Sequence, residues 1–524
     1  MLNKIKFLGV WLIALMLGAY NVRAVTIQES IDNGESSVTF KLDKEYQENL
    51  TIGSGKKLIL DLNGNTLRGN ISINGGELTV NDSTNNGKII TTNNIGVSNG
   101  KFTLNGGNIE SANYAIYGLN GSLITINGGV ITAKNDWACL GSNNTTGDAE
   151  FIINGGTLNA NYQTVYIANP IGLTINGGTL NGGIAMRMGK LTINGGTINA
   201  TKASASSFDD IKDYYNLGDG FAWTADAIHF MGGTYTTNST KGNALEVNIT
   251  GGNINVENGL GSAVVVYDIG KVSQNITINI SKDAKLVTDA TSRGSFDVMN
   301  LADIGVTNPK AGYGVYSGNV KTNIMGGVYS DEPAPELIPD KYEVYEVIEG
   351  NNKGSYIVVS DNDLKDTASS KSVKEEDVNT NDVSLIEKEI KDKYSFVGYY
   401  DVSVVKTTTD GDVVGTIEET DEPVEVLLGV PSSLPAVKTG FTRKYYVIRV
   451  HNGEVTIIDD VKDNGDGTVT FKSDKFSTYA LAYTDVEENV KSPNTFDGIS
   501  IYLFTILISF VVLAFSSIAL KNNN

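Results

Sequence analysis

The sequence predicts an all-β fold, in which a right-handed parallel β-helix is followed by a small β-sandwich module. Three observations predict it. Gly-Gly pairs recur between residues 75 and 327, apolar and polar residues alternate on either side of each pair, and only Pro170 and Pro309 lie between residues 25 and 330. Because proline removes a donor from a strand ladder, a region rich in turns and poor in proline is typical of stacked strands.

The repeat unit is a short strand that ends at a Gly-Gly corner. Nine of the glycine pairs define this repeat, and the residue before them is asparagine at six positions and methionine or threonine at three: Asn74, Asn105, Asn127, Asn154, Asn176, Asn194, Met231, Thr250 and Met325. In Leu191-Thr192-Ile193 the apolar residues alternate, as in a strand with one buried face. Gly195 and Gly196 then allow a sharp corner. Successive asparagine side chains are expected to hydrogen-bond along the axis of the stack.

A second strand is predicted between the corners, where a small residue is followed by an apolar residue and then a variable one. Ala115-Ile116-Tyr117 and Ala227-Ile228-His229 are examples. The middle residue should point inward, because the opposite register would bury charged side chains at a large cost in free energy. The variable residues should then line one exposed face of a sheet: Tyr117, Tyr166, Arg187, His229, Glu246 and Tyr316.

These repeats resemble parallel β-helix proteins of the pectate-lyase type, over about residues 40–330. The resemblance implies that enzymes have to be considered, since this fold hosts pectate lyases and polygalacturonases. The β-helix is assigned to residues 25–330, with a cap at residues 25–50 because exposed sheet edges invite aggregation.

The segments that follow the β-helix are assigned from their composition. Residues 331–393 are predicted to form transition strands and a polar linker, with a short helix near Leu385. Residues 394–484 have the pattern of six or seven strands, with a hairpin turn at residues 464–467, and are predicted to form a β-sandwich stalk module. Residues 485–498 form a second linker.

The two ends of the chain indicate export and anchoring. Lys4 and Lys6 precede an apolar run and then Val22-Arg23-Ala24, the pattern of a secretory signal peptide at residues 1–24. Residues 499–520 carry no charge and are long enough to form a transmembrane helix.

The segment before this span resembles the sorting signal of Gram-positive cell-wall proteins. Pro493 and Thr495 match the family motif, whereas Ser492 and Phe496 replace its leucine and glycine. The resemblance implies that a sortase cuts after Thr495 and joins the chain to the cell wall. The alternative is a plain membrane anchor, and both place residues 25–490 outside the cell.

Charge and residue content exclude several classes of protein. The net charge of −20 argues against nucleic-acid binding, which needs a basic surface. With one cysteine, Cys139, no internal disulfide forms. With two histidines, His229 and His451, no clustered zinc ligands are expected, so neither a metal nor a cofactor is predicted.

An acidic insertion at residues 208–229 holds the candidates for chemistry. Glycan cleavage needs paired carboxylates, or carboxylates with calcium and an arginine base. Asp219 and Asp226 are the candidate carboxylates, with Arg187 and His229 expected nearby. An acidic loop that is merely solvated is the alternative.

Three functions remain open. The leading hypothesis is a non-enzymatic surface adhesin that binds an extracellular polysaccharide or a host surface, because aromatic faces stack on sugars. Its candidate binding residues are Tyr117, Tyr166, Arg187, Tyr214, Tyr215, Trp223, His229 and Tyr316. The others are a surface-anchored polysaccharide lyase or glycoside hydrolase, and a structural coat or spacer.

Overall fold

The computed structural model describes residues 25–142, 148–168, 171–203, 206–207, 225–231, 245–268, 275–300 and 320–488. Within them the chain is mostly β and divides into two compact units: Met1–Lys365 with Thr407–Gly415, and Asp366–Lys406 with Thr416–Asn524. Several predicted features lie outside the described residues: the signal peptide, the membrane span, Tyr214, Tyr215, Asp219, Trp223, Tyr316, Pro493 and Thr495. No helix in the described ranges is long and apolar enough to cross a membrane.

The first unit begins with a short helix and continues as successive strands. The helix α1 (Ile27–Asn33) buries Ile27 and Ile31 in the same core as the strands. The strands are β1 (Ser37–Lys41), β2 (Tyr46–Gln47), β3 (Leu50–Gly53), β4 (Lys57–Asp61), β5 (Thr66–Arg68), β6 (Ile71–Asn74), β7 (Glu77–Asn81), β8 (Lys88–Thr91), β9 (Ile95–Ser98), β10 (Lys101–Leu104), β11 (Asn108–Ser111), β12 (Ile116–Leu119), β13 (Leu123–Ile126), β14 (Val130–Ala133), β15 (Leu140–Ser142), β16 (Glu150–Ile153), β17 (Thr157–Ile167), β18 (Ile171–Ile175), β19 (Thr179–Met186), β20 (Gly189–Ile193), β21 (Thr197–Ala200), β22 (Ile228–Met231), β23 (Leu245–Val256), β24 (Val264–Asp268), β25 (Ile276–Thr288), β26 (Phe296–Asn300), β27 (Val320–Met325) and β28 (Gly327–Tyr329).

These strands form three parallel ladders. Sheet A contains β1, β4, β7, β10, β13, β16, β18, β20, the first halves of β23 and β25, and β27. Sheet B contains β2, β5, β8, β11, β14, the first halves of β17 and β19, β21, the second halves of β23 and β25, and β28. Sheet C contains β3, β6, β9, β12, β15, the second halves of β17 and β19, β22, β24 and β26. The chain adds one strand to each of the three sheets in turn and then begins the next rung, which is consistent with a β-helix.

The inward side chains of the three sheets form one apolar core. In sheet B the inward column is aliphatic and buried from rung to rung: Leu67, Ile89, Ile109, Ile131, Leu158, Leu180, Ile198, Ile254 and Leu286. One coil alone has no partner for this column, so its stability comes from the coils on either side.

The two glycines of each corner have different roles. A Cβ at Gly195 would lie 2.9 Å from the backbone oxygen of Asn176 in the preceding coil, so the first glycine allows coils to approach closely. Gly196 has a φ of +91°, which L side chains rarely adopt. The predicted sharp Gly-Gly corner is confirmed.

A hairpin follows the last rung of the stack. The predicted strands near residues 341–360 are β29 (Tyr342–Glu346) and β30 (Tyr356–Ser360), which pair antiparallel. Strand β30 also pairs antiparallel with β28, so it covers the edge of the last parallel rung.

The second unit has two sheets and a helix. Its elements are β31 (Leu364–Val373), α2 (Thr380–Ile390), β32 (Ser395–Thr408), β33 (Val413–Ile417), β34 (Glu419–Gly429), β35 (Phe441–His451), β36 (Glu454–Ile458), β37 (Lys462–Asp463), β38 (Thr468–Lys475) and β39 (Thr478–Glu487). One sheet has the order β31-β32-β39-β35-β36, with β33 beside β32, and the other has the order β34-β38-β37. Both sheets contribute to one apolar core, which includes Val404, Leu428 and Phe471. The predicted strands, the hairpin at residues 464–467 and the helix near Leu385 are all present.

Candidate functional site

The outward face of sheet C brings several of the predicted site residues together. Tyr117, Tyr166 and His229 occupy one column of this face, which continues through Val265 to Asp297. Arg187 directly follows β19, two residues after Ala185 of that column. The inward-facing partners Ile116, Val165 and Ile228 are buried in the core, so the predicted register of this strand is confirmed.

The prediction that this face is exposed is wrong. His229 and Arg187 are 0 % and 1 % exposed, Tyr166 is buried, and Tyr117 is half-buried. Part of this burial comes from the ring of Tyr114, which lies over the face. A Cβ added at Gly141 would be 2.3 Å from an atom of that ring. Alternation in the sequence indicates the side of a sheet on which a residue lies, but not what packs over that side.

Glu246 lies on a different sheet from the one predicted. It pairs with Lys190 in the sheet A ladder, where its side chain is exposed and its carboxylate lies 3.1 Å from the lysine Nζ. Strand β23 passes through sheets A and B, and Leu245, the middle residue of the small-apolar-variable pattern at Ala244, is the first residue of its sheet A half.

Asp226 is at the centre of a buried polar cluster beside sheet C. Its Oδ1 lies 3.2 Å from Arg293 Nη2 and accepts a hydrogen bond of 2.7 Å from the Ser262 backbone N–H. Its Oδ2 accepts a hydrogen bond of 2.5 Å from the Tyr267 hydroxyl. Arg293 Nε and the Ser262 hydroxyl both donate to Asp297 Oδ2, at 3.0 and 2.5 Å.

Burial and charge act in opposite directions on this pair. Burial raises the pKa of the Asp226 carboxyl, while the charge of Arg293 and the donors on Tyr267 and Ser262 oppose that rise. Burial likewise opposes the charge on Arg293, but Asp226, Tyr267 and Asp297 outweigh it and raise the pKa of the guanidinium. Removing one member of a buried pair costs about 3–5 kcal/mol, because the other charge stays uncompensated. Asp226 is therefore a structural element of the coil.

His229 lies next to the cluster as a neutral imidazole. Its ring centroid is 6.4 Å from that of Tyr267, and neither ring nitrogen has a hydrogen-bond partner in the described part of the chain. Burial, together with a smaller effect of the charge of Arg187, lowers the pKa of His229 to about 3. A general acid or base works best with a pKa near the operating pH, which this histidine does not have.

The described residues offer neither a metal site nor a reactive thiol. No three His, Cys, Asp or Glu side chains among them are arranged to hold a metal ion. Cys139 is fully buried, and burial raises the pKa of its thiol to about 12. Because the thiolate is the nucleophile, this cysteine is inert.

Sheet A presents exposed polar columns on its outward face. In the first column, which begins at Asn81, each later asparagine donates from its Nδ2 to the Oδ1 of the asparagine one rung earlier, at 2.8–2.9 Å: Asn105, Asn127, Asn154, Asn176 and Asn194. Thr250 extends the column by donating to Asn194 Oδ1 at 2.9 Å. The predicted hydrogen-bonded asparagine ladder is confirmed from Asn105 to Asn194, but the prediction is wrong for Asn74, which pairs with Ser98 on sheet C, and Asn81 is the first member instead.

A second outward column of sheet A is dominated by threonine. It runs through half-buried side chains on consecutive rungs: Ile59, Thr79, Thr103, Thr125, Ile152, Thr174 and Thr192. A third column carries the charges, and neighbouring lysines and glutamates pair there. Lys101 lies 2.9 Å from Glu77, and Lys190 lies 3.1 Å from Glu246.

Two further asparagine ladders are present that the sequence pattern was not used to predict. On sheet B, Asn181, Asn199 and Asn255 each donate to the preceding rung, beginning at Asn159, at 2.8–3.1 Å. On sheet A, Asn279 and Asn323 continue a ladder from Asn248 at 2.8–2.9 Å. A signal for the first was available, because an asparagine stands five residues after Asn154, Asn176 and Asn194.

Comparisons with known proteins add no relative. No family model matches the chain, and no curated protein or solved structure matches it. The site is therefore characterised by its own geometry, which is a buried ion-pair cluster beside sheet C and exposed polar ladders on sheet A.

Proposed function

We propose that this chain is a bacterial cell-surface protein that binds an extracellular polysaccharide or a host surface without catalysing a reaction. In this proposal the first unit is a right-handed parallel β-helix that carries the binding surface, since parallel crossovers are nearly always right-handed. The second unit is a β-sandwich stalk. Residues 1–24 direct export, and residues 499–520 hold the chain at the membrane or, after sortase action at Thr495, are replaced by the cell wall.

The contrast between two faces of the coil supports binding over catalysis. On sheet C, Arg187, Asp226 and His229 are nearly or fully buried, and Asp226 is occupied by an ion pair and two hydrogen-bond donors. On sheet A, the asparagine column is exposed over successive rungs. A ligand in solution can reach the asparagine column on sheet A directly, whereas the groups on sheet C that are suited to acid–base chemistry lie under packed side chains.

A polysaccharide lyase or glycoside hydrolase is the second candidate. The observation in its favour is that Arg187, which precedes Asp226 by 39 residues in the sequence, comes to the same side of the coil as Asp226 and His229. Catalysis there would require the cover of sheet C to open. A purely structural coat is the remaining alternative.

One assay separates these functions. The purified full-length protein, in a neutral detergent, is incubated with a panel of plant, mucin and bacterial polysaccharides, and retention and released sugar are measured on the same samples. We expect retention without any release of unsaturated or reducing sugar. Release of sugar would contradict the binding proposal and favour the enzyme. The absence of both retention and release would favour a structural coat. An Asp226→Asn variant is unsuitable here, because loss of the buried ion pair would disturb the fold.

A further inference from the structure

The outward face of sheet A is a regular, rigid array. Neighbouring strands in a sheet are about 4.8 Å apart, so the six ladder asparagines span about 24 Å along the coil. The threonines beside them are β-branched and therefore stiff at χ1. The asparagines are held by their own ladder bonds. A ligand bound here would meet side chains that lose little conformational entropy.

The array keeps unused hydrogen-bonding capacity at every rung. A side-chain amide has two N–H donors and an oxygen with two lone pairs. The ladder bond uses one donor and one lone pair of an interior asparagine such as Asn127, which leaves one of each for a ligand. A threonine hydroxyl also both donates and accepts. The face therefore suits groups that donate and accept together, as sugar hydroxyls do.

The array is also electrically neutral, although the chain carries a net charge of −20. One ion pair of this sheet, Lys41 with Asp61, stands in the asparagine column on the two rungs before Asn81. In the neighbouring column, Lys57 and Lys101 flank Glu77, and Lys190 pairs with Glu246. The threonine and asparagine columns between Thr79 and Asn194 hold no ionisable side chain. Charge complementarity thus favours a neutral ligand.

We propose that the outward face of sheet A, and not that of sheet C, is the binding surface, and that its ligand is a neutral polysaccharide in an ordered, packed form. This inference rests on the proposed function. Each rung makes only a weak contact, so strong binding requires many rungs to be engaged at once. A rigid surface with its own repeat can engage them together, whereas a short soluble oligosaccharide engages few.

The test compares two pairs of substitutions in the full-length protein. Thr125→Arg with Thr174→Arg places two long cations on the sheet A array. Thr132→Arg with Thr179→Arg makes the same change on the outward face of sheet B, in the same two coils. All four threonines are half-buried, so the pairs are matched in exposure and chemistry. Thermal unfolding of each variant is the control that checks whether both pairs fold like the wild type.

The probes are microcrystalline cellulose and crystalline chitin, with the corresponding soluble hexasaccharides as competitors. We expect the wild type to be retained on at least one of the two particles, the sheet A pair to bind at least tenfold more weakly, and the sheet B pair to bind like the wild type. The hexasaccharides should not displace the protein. Undiminished binding by the sheet A pair, or displacement by a hexasaccharide, would overturn the inference.

The same experiment separates failure of the inference from failure of the proposed function. Wild-type binding to soluble or disordered polysaccharides only would overturn the ordered ligand and leave surface binding in place. A wild type that binds no polysaccharide or host-surface glycan at all would overturn both.

Discussion

At the scale of single residues, the middle of sheet C holds a histidine that cannot easily be charged. His229 lies between Ala185 and Val265 on adjoining rungs, and all three are buried. The charge of Arg187 disfavours the imidazolium further. The unfolded chain has no such restriction, so this residue makes folding depend on pH.

We expect wild-type stability to fall as the pH drops from about 6.5 towards 3. In that range the unfolded state binds a proton at His229, with its ordinary pKa of 6.5, and the folded state, with a pKa of about 3, does not. At pH 5 this amounts to about 2 kcal/mol relative to neutral pH. A His229→Leu variant should lack this component, so its stability should exceed that of the wild type increasingly as the pH falls.

Tryptophan fluorescence during denaturant unfolding measures this, because Trp137 lies in the first unit, with its ring centroid 5.0 Å from that of Tyr114. The comparison is made at pH 7.5 and pH 5. Identical pH dependence in the wild type and the variant would mean that the imidazole is hydrated rather than buried.

At the scale of the repeat, the corner and the ladder impose separate requirements on the sequence. The second corner glycine is needed for its backbone conformation, and the first for the approach of the preceding coil. The asparagine before them joins coils through its side chain. The recurring Asn-Gly-Gly string is thus explained by two contacts between coils and one requirement on backbone conformation.

Substitution of a second corner glycine should destabilise the first unit. In Gly196→Ala the new Cβ would stand at a positive φ and 3.0 Å from backbone atoms of Gly177 and Gly178, so we expect a loss of about 1–3 kcal/mol. Gly172→Ala is the matched control, since its nearest neighbour is a Glu150 side-chain carbon at 3.7 Å. The free energies of unfolding of both variants check this, and equal losses would refute the strained corner.

An interior rung of the asparagine ladder should matter more than a terminal one. Asn127→Ala removes two ladder bonds, whereas Asn81→Ala removes the one bond that Asn105 donates. At about 1 kcal/mol for each net hydrogen bond, we expect losses of about 2 and 1 kcal/mol. Denaturant unfolding of the two variants measures the difference, and a loss at Asn81 as large as that at Asn127 would argue against a continuous ladder.

Much of the repeat could be predicted because its contacts are local or strictly periodic. The alternation around Leu191, the Gly195-Gly196 corner and the asparagine ladder each follow from a short sequence pattern. The sheet assignment of Glu246 did not follow, because a long strand shared by two sheets has no marker in the sequence. The burial of His229 depends on packing over the outer face, which alternation does not encode.

At the scale of the whole molecule, the faces of the first unit differ in what they offer to a partner. Sheet C has a buried outward column and an ion pair between Asp226 and Arg293. Sheet A has neutral and periodic columns, of which the asparagine column is largely exposed and the threonine column is half-buried. The candidate catalytic residues were found by residue type, but the proposed binding face follows from the register of the strands, which is seen only when successive coils are aligned.

Lysine footprinting of the bound wild-type protein tests the central claim most directly. Lys57, Lys101 and Lys190 stand beside the sheet A array with side chains 44–60 % exposed, while Lys88 and Lys134 on the sheet B side are 45 % and 57 % exposed. All five are ion-paired, so their acetylation rates in the free protein should be comparable. On the particle that retains the protein, we expect acetylation of the three sheet A lysines to slow several-fold and that of the two sheet B lysines to stay unchanged. Protection of Lys88 and Lys134 instead, or equal labelling of all five, would contradict binding through sheet A.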